Sequence, residues 1–359
     1  MLDTINGIES AVTSKFRASL KVLFPEMELP NSRHPFHADD SNDHRIVQWH
    51  KAHPSKFSIG CFFSGDIVVS GMGSLWRDNK LVVEPLLMPL YWRNRIFENS
   101  FSDPASEVNL PIREIEETCI CAIGWGFEIY GHFLIEMLPR ILTAIKILKQ
   151  EGVTPKVLLR SDSPRWMKSI IESYLLDEGS VITFDPKTER VKLTNGVYPT
   201  YPYYAHGFHP EVKGLIESIE GLPDHAPAKT GNYFVSRASM PFSKTRRTCT
   251  NEELLADIAK TEFGLTVITP ESMTWAEQVN IFRSAKSVVG LSGSALHTSL
   301  FSNEDFLIGV IGLVNPVQTH IAALRQHRMA YQITGFNIAH YYDVPVDPFR
   351  KMLEKIVNR

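Results

Sequence analysis

The 359-residue sequence has no run of about 18 apolar residues, so it offers no segment long enough to span a bilayer as a helix. Its opening, "MLDTINGIESAVTSKF", lacks a basic segment followed by an apolar run, and the expectation is a protein made and kept in the cytosol. Cysteine is scarce. Cys61, Cys119, Cys121 and Cys249 form no C-x-x-C pair and no zinc spacing, which argues against a disulfide scaffold or a zinc module and for small core residues in a reducing compartment. Neither charge sign is in excess: 37 Lys and Arg against 40 Asp and Glu give a net charge of -3, with no basic footprint for nucleic acid. Internal repeats and low-complexity tracts are absent too. What is there, 43% hydrophobic and 21% charged residues, is the balance of a soluble globular protein, long enough for two domains.

The patterning predicts an α/β protein. "FSIGCFF", "DIVVSG", "KLVVEP" and "ETCICAIGW" read as strands, followed by a helix running to about Gln150, before the stop at Gly152. Then come "KVLLR", a helix from "PRWMKSIIESYLL", "SVITF" and "VKLTNGVYPTYPYY". Strands alternating with helices argue for parallel sheet. Glu220–Gly231, with two prolines, two glycines and no apolar periodicity, reads as a linker. A second alternating series follows: "NYFVSR", a helix over "TNEELLADIAKTEFG", "LTVITP", a helix from "TWAEQVNIFRSA" with Thr274 and Glu277 as a capping box, and then "SVVGLSG", "FLIGVIG" and "AYQIT". The expected partition is 1–225, 226–340 and a C-terminal segment 341–359, whose helix packs back toward the first domain. "NSRHPFHADDSNDH" reads as a long polar loop. Its His34, His37, Asp39, Asp40, Asp43 and His44 have no spacing that fixes metal ligands.

Two stretches carry candidate chemistry. In "SVVGLSGSALHTSLF" a buried strand runs through Gly290 into Ser292, Gly293, Ser294 and Ala295 and then into a helix. That layout presents backbone N–H groups to an anion such as phosphate. A G-x-S-x-G nucleophile elbow would need a second glycine where Ser294 stands, and a tight turn with no ligand fits the same residues. Arg237 follows a strand directly, and Lys244, Arg246 and Arg247 lie in a loop before a helix that opens near Asn251. Such cations can grip phosphate oxygens, or simply form a solvated face. In the first half, "IYGHFLIEMLPRI" sets His132, Glu136 and Arg140 at i, i+4 and i+8 on one face of an otherwise apolar helix.

Taken in order, "YGHFLIEMLPRI", "YFVSR", "TRRTCTNEELL" and "FGLTVITPESMTWAEQVNIFRSAKSVVGLSGSALHTSLF" resemble the family 61 glycosyltransferases over roughly residues 120 to 312. The resemblance implies a GT-B architecture of two Rossmann-like domains facing across a cleft, with the nucleotide sugar held by the C-terminal one. It also implies inversion at the anomeric carbon and no metal requirement. Where many relatives carry His-Gly-Ala-Gly, this chain has Ser292-Gly293-Ser294-Ala295, with His297 two residues on. No two aspartates are separated by a single residue, so the carboxylate clamp of the other major transferase architecture is missing.

The donor site is therefore expected at Arg237, Lys244, Arg246, Arg247, Asn251, Gly290, Ser292, Gly293, Ser294, Ala295 and His297. The general base is expected among His132, Glu136 and Glu128. On the residues alone, a buried polar network without chemistry is the first reading of His132, Glu136 and Arg140, and it is the resemblance that turns them into a site. The activity implied is transfer from a nucleotide-sugar donor, UDP-linked as the commonest carrier, to a hydroxyl of a glycan or glycolipid in surface polysaccharide or capsule assembly, with no cofactor. A lipid-linked acceptor would add peripheral association with the inner membrane. The competing classes are a non-catalytic nucleotide- or glycan-binding module on the same fold and an α/β hydrolase-like enzyme.

Overall fold

A computed structural model describes residues 20–31, 33, 35–39, 48, 50, 55–82, 84, 86–87, 107–204, 207–222, 224, 229–238, 248–334 and 341–359. Two compact units emerge: the described parts of Met1–Glu28, Lys56–Ala205 and Gly214–Glu220 form one, and those of Leu29–Ser55, His206–Lys213 and Gly221–Arg359 the other. Both are α/β, as the alternating patterns predict.

The first unit is built on a nine-stranded mixed sheet. Its strands are β1 (Leu20–Glu28), β2 (Lys56–Ser64), β3 (Ile67–Ser70), β4 (Ser74–Arg77), β5 (Lys80–Leu81), β6 (Ile112–Ile120), β7 (Lys156–Arg160), β8 (Val181–Phe184) and β9 (Arg190–Pro199). They follow the order β5-β4-β3-β9-β6-β7-β8, with β2 joining β1 to β9. The β9-β6-β7-β8 part is parallel and the hairpin side antiparallel. Period-two alternation sends Val191 and Leu193 into one core, where Cys119, Cys121 and Tyr198 join Ile67, Val69, Leu158 and Phe184.

The helix expected after β6 forms, but not uniformly. A helical turn at Tyr130–His132 leads into a π-helical turn at Phe133–Met137, and only then comes α1, Leu138–Gln150. Pro139 accounts for the break: it has no N–H, and its ring opposes the carbonyl one turn back. The Leu138 N–H reaches back five residues to the Phe133 carbonyl instead, widening the turn.

The second unit holds an all-parallel sheet: β10 (Asn232–Val235), β11 (Thr266–Ile268), β12 (Ser287–Leu291), β13 (Leu307–Gly312) and β14 (Arg328–Ile333), in the order β11-β10-β12-β13-β14. The segment read as a polar loop adds a sixth strand, because His37–Ala38 pairs with Ala330 and Tyr331 of β14. Hydrophobic alternation divides the sheet's two faces. Phe234, Val289, Leu291 and Ile311 face Leu255 and Ile258 of α2 (Glu252–Thr261), and Val235, Val288, Ile308 and Val310 face Phe282 of α3 (Trp275–Ser284) and Ala322 of α4 (Pro316–Arg325). The predicted capping box starts α3, with the Thr274 hydroxyl accepting from the Glu277 N–H and the Glu277 carboxylate accepting from the Thr274 N–H. The C-terminal helix, α5 (Val346–Val357), buries Phe349, Met352, Leu353 and Ile356 in the core of this same unit.

Candidate active site

In the first unit, polar groups gather beyond the carboxyl ends of β6 and β9, the end at which parallel α/β sheets present ligand sites. His132 Nδ1 lies 3.3 Å from Glu136 Oε2, a close contact short of an aligned hydrogen bond. The His132 side chain is 21% exposed and that of Glu136 only 3%, so the imidazole is the group a substrate can reach, and the carboxylate backs it.

The ring is held by the turn before it. Trp125 meets it edge-on at 4.7 Å between ring centroids. Gly126 adopts φ +74°, and a Cβ there would fall 2.6 Å from His132 Cδ2, so glycine is required both by conformation and by contact. Arg140, the third member of the polar stripe, does not point at substrate. Its Nε donates to the Pro199 carbonyl at 2.9 Å and its Nη1 to the Ala122 carbonyl at 2.8 Å, while the guanidinium lies 4.4 Å over the Tyr201 ring. It therefore ties the helix to the ends of β6 and β9. Burial raises the Tyr201 phenol above its ordinary range, Arg140 opposes the rise, and the negative charge of Glu136 adds to it. Glu128 is exposed, at the end of the Trp125–Glu128 turn.

On the flank, Arg160 closes β7. It grips Asp162 through Nε and Nη2 at 2.8 and 2.7 Å, donates to the Gly71 carbonyl at 3.2 Å and stacks 4.3 Å over Phe127. Those contacts hold the Asp162 carboxyl below its ordinary range.

In the second unit the strand order 2-1-3-4-5 reverses between β10 and β12, which is the switch point where a crevice opens at the carboxyl ends. Arg237 follows β10 and the Ser292-Gly293-Ser294-Ala295 turn follows β12, so the topology brings together two motifs 55 residues apart. The contact is direct: a Cβ on Gly293 would lie 3.0 Å from Arg237 Nη1. Ser292 is buried, donates its N–H to the Ile311 carbonyl at 2.8 Å, and among the described residues its hydroxyl has no hydrogen-bond partner. The helix expected after the turn is a 3-10 helix, Ser294–Phe301. Residues Leu296 to Phe301, His297 among them, are all buried, so packing rather than helix propensity sets its winding. Gly290 packs on Val235 within the sheet.

Two residues of this region have structural work. Asn251 pairs its amide with the backbone of Val344, donating to the carbonyl at 2.8 Å and accepting from the N–H at 3.0 Å, instead of capping α2. Glu252 is buried, and its carboxylate accepts from the Arg237 N–H and, at 3.2 Å, from the Ser236 hydroxyl. Burial raises its pKa, and the bonds from Arg237 and Ser236 partly offset the rise. Lys244, Arg246 and Arg247 lie outside the described residues, as do His34, Asp40, Asp43 and His44 of the polar segment.

Reading the sequence alone misses Trp125, Gly126 and Tyr201 around His132, and Glu252 beneath Arg237. "GWG" directly before the helix and the double acid "NEE" at a helix start are the signals that were available. Among the described residues no group of three or more His, Cys, Asp or Glu could hold a metal ion, and no helix is long and apolar enough to cross a membrane. Compared with known proteins, the chain matches the family model described as Glycosyltransferase 61 over residues 130–309. No curated protein matches it. The matched span begins at the helical turn carrying His132 and ends in β13, so it includes the His132–Glu136 pair and the Arg237–Gly293 turn but not the Trp125–Glu128 turn that holds the imidazole.

Proposed function

The chain belongs to glycosyltransferase family 61, and from that premise we propose that it is an inverting, metal-independent transferase moving a sugar from a UDP-linked donor to a hydroxyl of a glycan or glycolipid, in surface polysaccharide assembly. The observation that carries this reading is the His132–Glu136 pair, an accessible imidazole 3.3 Å from a buried carboxylate. In this reading His132 takes the proton from the acceptor hydroxyl. The freed oxygen attacks the anomeric carbon from the side opposite the diphosphate, the bond to the diphosphate oxygen breaks, and the nucleoside diphosphate leaves with that electron pair. Glu136 is the positioning residue: it fixes the ring and stabilises the imidazolium that forms, and the contact tightens when substrate binds.

The donor's diphosphate would sit at the switch point of the second unit, against Arg237, the N–H groups of the Gly293 turn and the Ser292 hydroxyl. Arg246 and Arg247 are proposed to add charge there. The partition into an acceptor-side and a donor-side domain of GT-B type, and a cytosolic place of work, belong to the same proposal. The test is a donor-turnover assay with nucleotide binding measured alongside. His132→Ala should cut turnover by about a hundredfold or more, the scale of general-base catalysis, with UDP affinity unchanged. Glu136→Gln should cut turnover less, and a chelator should leave the wild type active. Turnover within a factor of two of wild type in both variants, or inactivation by chelator with rescue by manganese, would overturn the mechanism.

A further inference from the structure

The first unit contains a second recess, well away from His132. β9 exchanges its antiparallel partner partway along its length: Val191–Leu193 pair with β3, whereas Gly196–Pro199 pair with β2. On its other side the register with β6 slips over the same stretch, since Leu193 pairs with Ile115 but Asn195 with Thr118, leaving one extra residue on β6. The Ser64-Gly65 turn crosses the gap, and Gly65 sits so close to the Thr194 carbonyl that no side chain fits there.

The result is an open cavity of about 390 Å³, at the small end of the range for ligand sites. Its floor is apolar, from Leu148 and Val197, and half-buried Phe63 adds an aromatic face. The rim carries Ser64, Thr118, Asn195 and Glu151. Asn195 is fixed by donating to the Glu116 carbonyl at 2.7 Å, and Glu151 is ion-paired with Lys21. Leu148 follows His132 by sixteen residues along the helix, which separates the two places by about 24 Å at 1.5 Å per residue.

We propose that this cavity is an accessory saccharide-binding site that holds a neutral stretch of glycan at a distance from the reacting hydroxyl. An apolar floor with an aromatic face suits the C–H side of a sugar ring, and fixed hydroxyl, amide and carboxylate groups at the rim suit its hydroxyls. The charge selects the class. Glu151 at the rim is matched by Lys21, so the site carries no excess positive charge to hold uronate or phosphorylated sugars, while its polar groups bond neutral ones. One or two sugar rings fill the volume, so the site recognises a short portion of a longer chain. The inference rests on the glycosyltransferase reading, because a glycan acceptor supplies the occupant.

Saturation-transfer NMR on the full chain tests it, with xylotetraose, cellotetraose and maltotetraose as neutral probes and tetragalacturonate as the anionic one. The expected result is transfer to at least one neutral probe and none to the anionic one, unaffected by saturating UDP and by His132→Ala. Thr118→Trp, which fills the cavity, should abolish the signal. Asn195→Ala, an exposed position that spares the fold, should weaken binding about tenfold. Donor turnover of the wild type, measured alongside, separates the two failures: turnover without saccharide binding overturns this site alone, whereas no turnover at all counts against the transferase reading. Binding unchanged in both variants, preference for the anionic probe, or silence from every neutral probe would overturn the proposal.

Discussion

Glu252 is a buried carboxyl that the fold keeps harder to ionise than in the unfolded chain, where its ordinary value is near 4.5. A folded-state pKa raised above the unfolded one means that the native state holds the proton more firmly. The resulting stability is complete below the unfolded pKa and is lost as pH rises through the folded pKa. Glu252→Gln keeps an acceptor for the Arg237 N–H and removes the titration. In urea unfolding at a series of pH values, the wild type should lose stability relative to the variant as pH rises above about 4.5, the ordinary carboxyl value. A pH-independent difference would refute the assignment. Gly293 makes a different point. Its φ of 171° is extended backbone open to any residue, so what demands glycine is the space beside Arg237 Nη1, 3.0 Å from where a Cβ would stand. Gly293→Ala should therefore leave unfolding stability within about 1 kcal/mol of wild type, since the displaced atom ends a flexible side chain. It should still weaken UDP binding measured by calorimetry. Arg237→Ala should weaken that binding by about 1.5–3 kcal/mol, the scale of a hydrogen bond to a charged group.

At the scale of elements, the helix bearing His132 is anchored by Arg140, whose two bonds end on the carbonyls that close β6 and β9. Arg140→Met keeps length and apolar bulk but leaves both carbonyls without that donor. It should cost about 2–4 kcal/mol in chemical denaturation, with turnover falling as the helix loosens. Arg140→Lys should recover only part of either loss, because an ammonium cannot reproduce the planar stack on Tyr201. A fully stable Arg140→Met would mean that the helix is held by packing alone. Elements of this kind were largely legible in the sequence, because apolar periodicity and caps are local: β12, β13 and the Thr274–Glu277 capping box lie where the pattern puts them. The π-helical turn was not, since it follows from how Pro139 resolves a lost bond rather than from periodicity. His37–Ala38 was hidden as well, because a two-residue strand is defined by its partner, 293 residues away, and not by its own composition. The site divides in the same way. His132 and Glu136 share one helix face and could be read directly. Trp125 and Gly126 touch the ring through turn geometry, and the approach of Gly293 to Arg237 depends on strand order, which one sequence does not encode locally.

For the whole molecule, the pertinent fact is that each unit has its own sheet and its own core, with the His132–Glu136 pair in one and the Arg237–Gly293 contact in the other. Separate cores have separate local stabilities, so a ligand that binds native residues of one unit raises the opening free energy of the amides it secures. Hydrogen exchange with and without UDP reads this peptide by peptide. Protection should appear in the peptides spanning Ser236–Arg237 and Ser292–Leu296, and around the ends of β10 and the buried β12 that lead into them. His132→Ala should leave that protection intact, since it removes a side chain of the other unit. Arg237→Ala should abolish it at a UDP concentration that protects the wild type, while exchange in β6 and α1 stays the same in every sample. If UDP instead protects the Trp125–Glu136 segment and spares the Gly293 turn, the donor binds in the first unit, and the roles proposed for the two constellations must be exchanged.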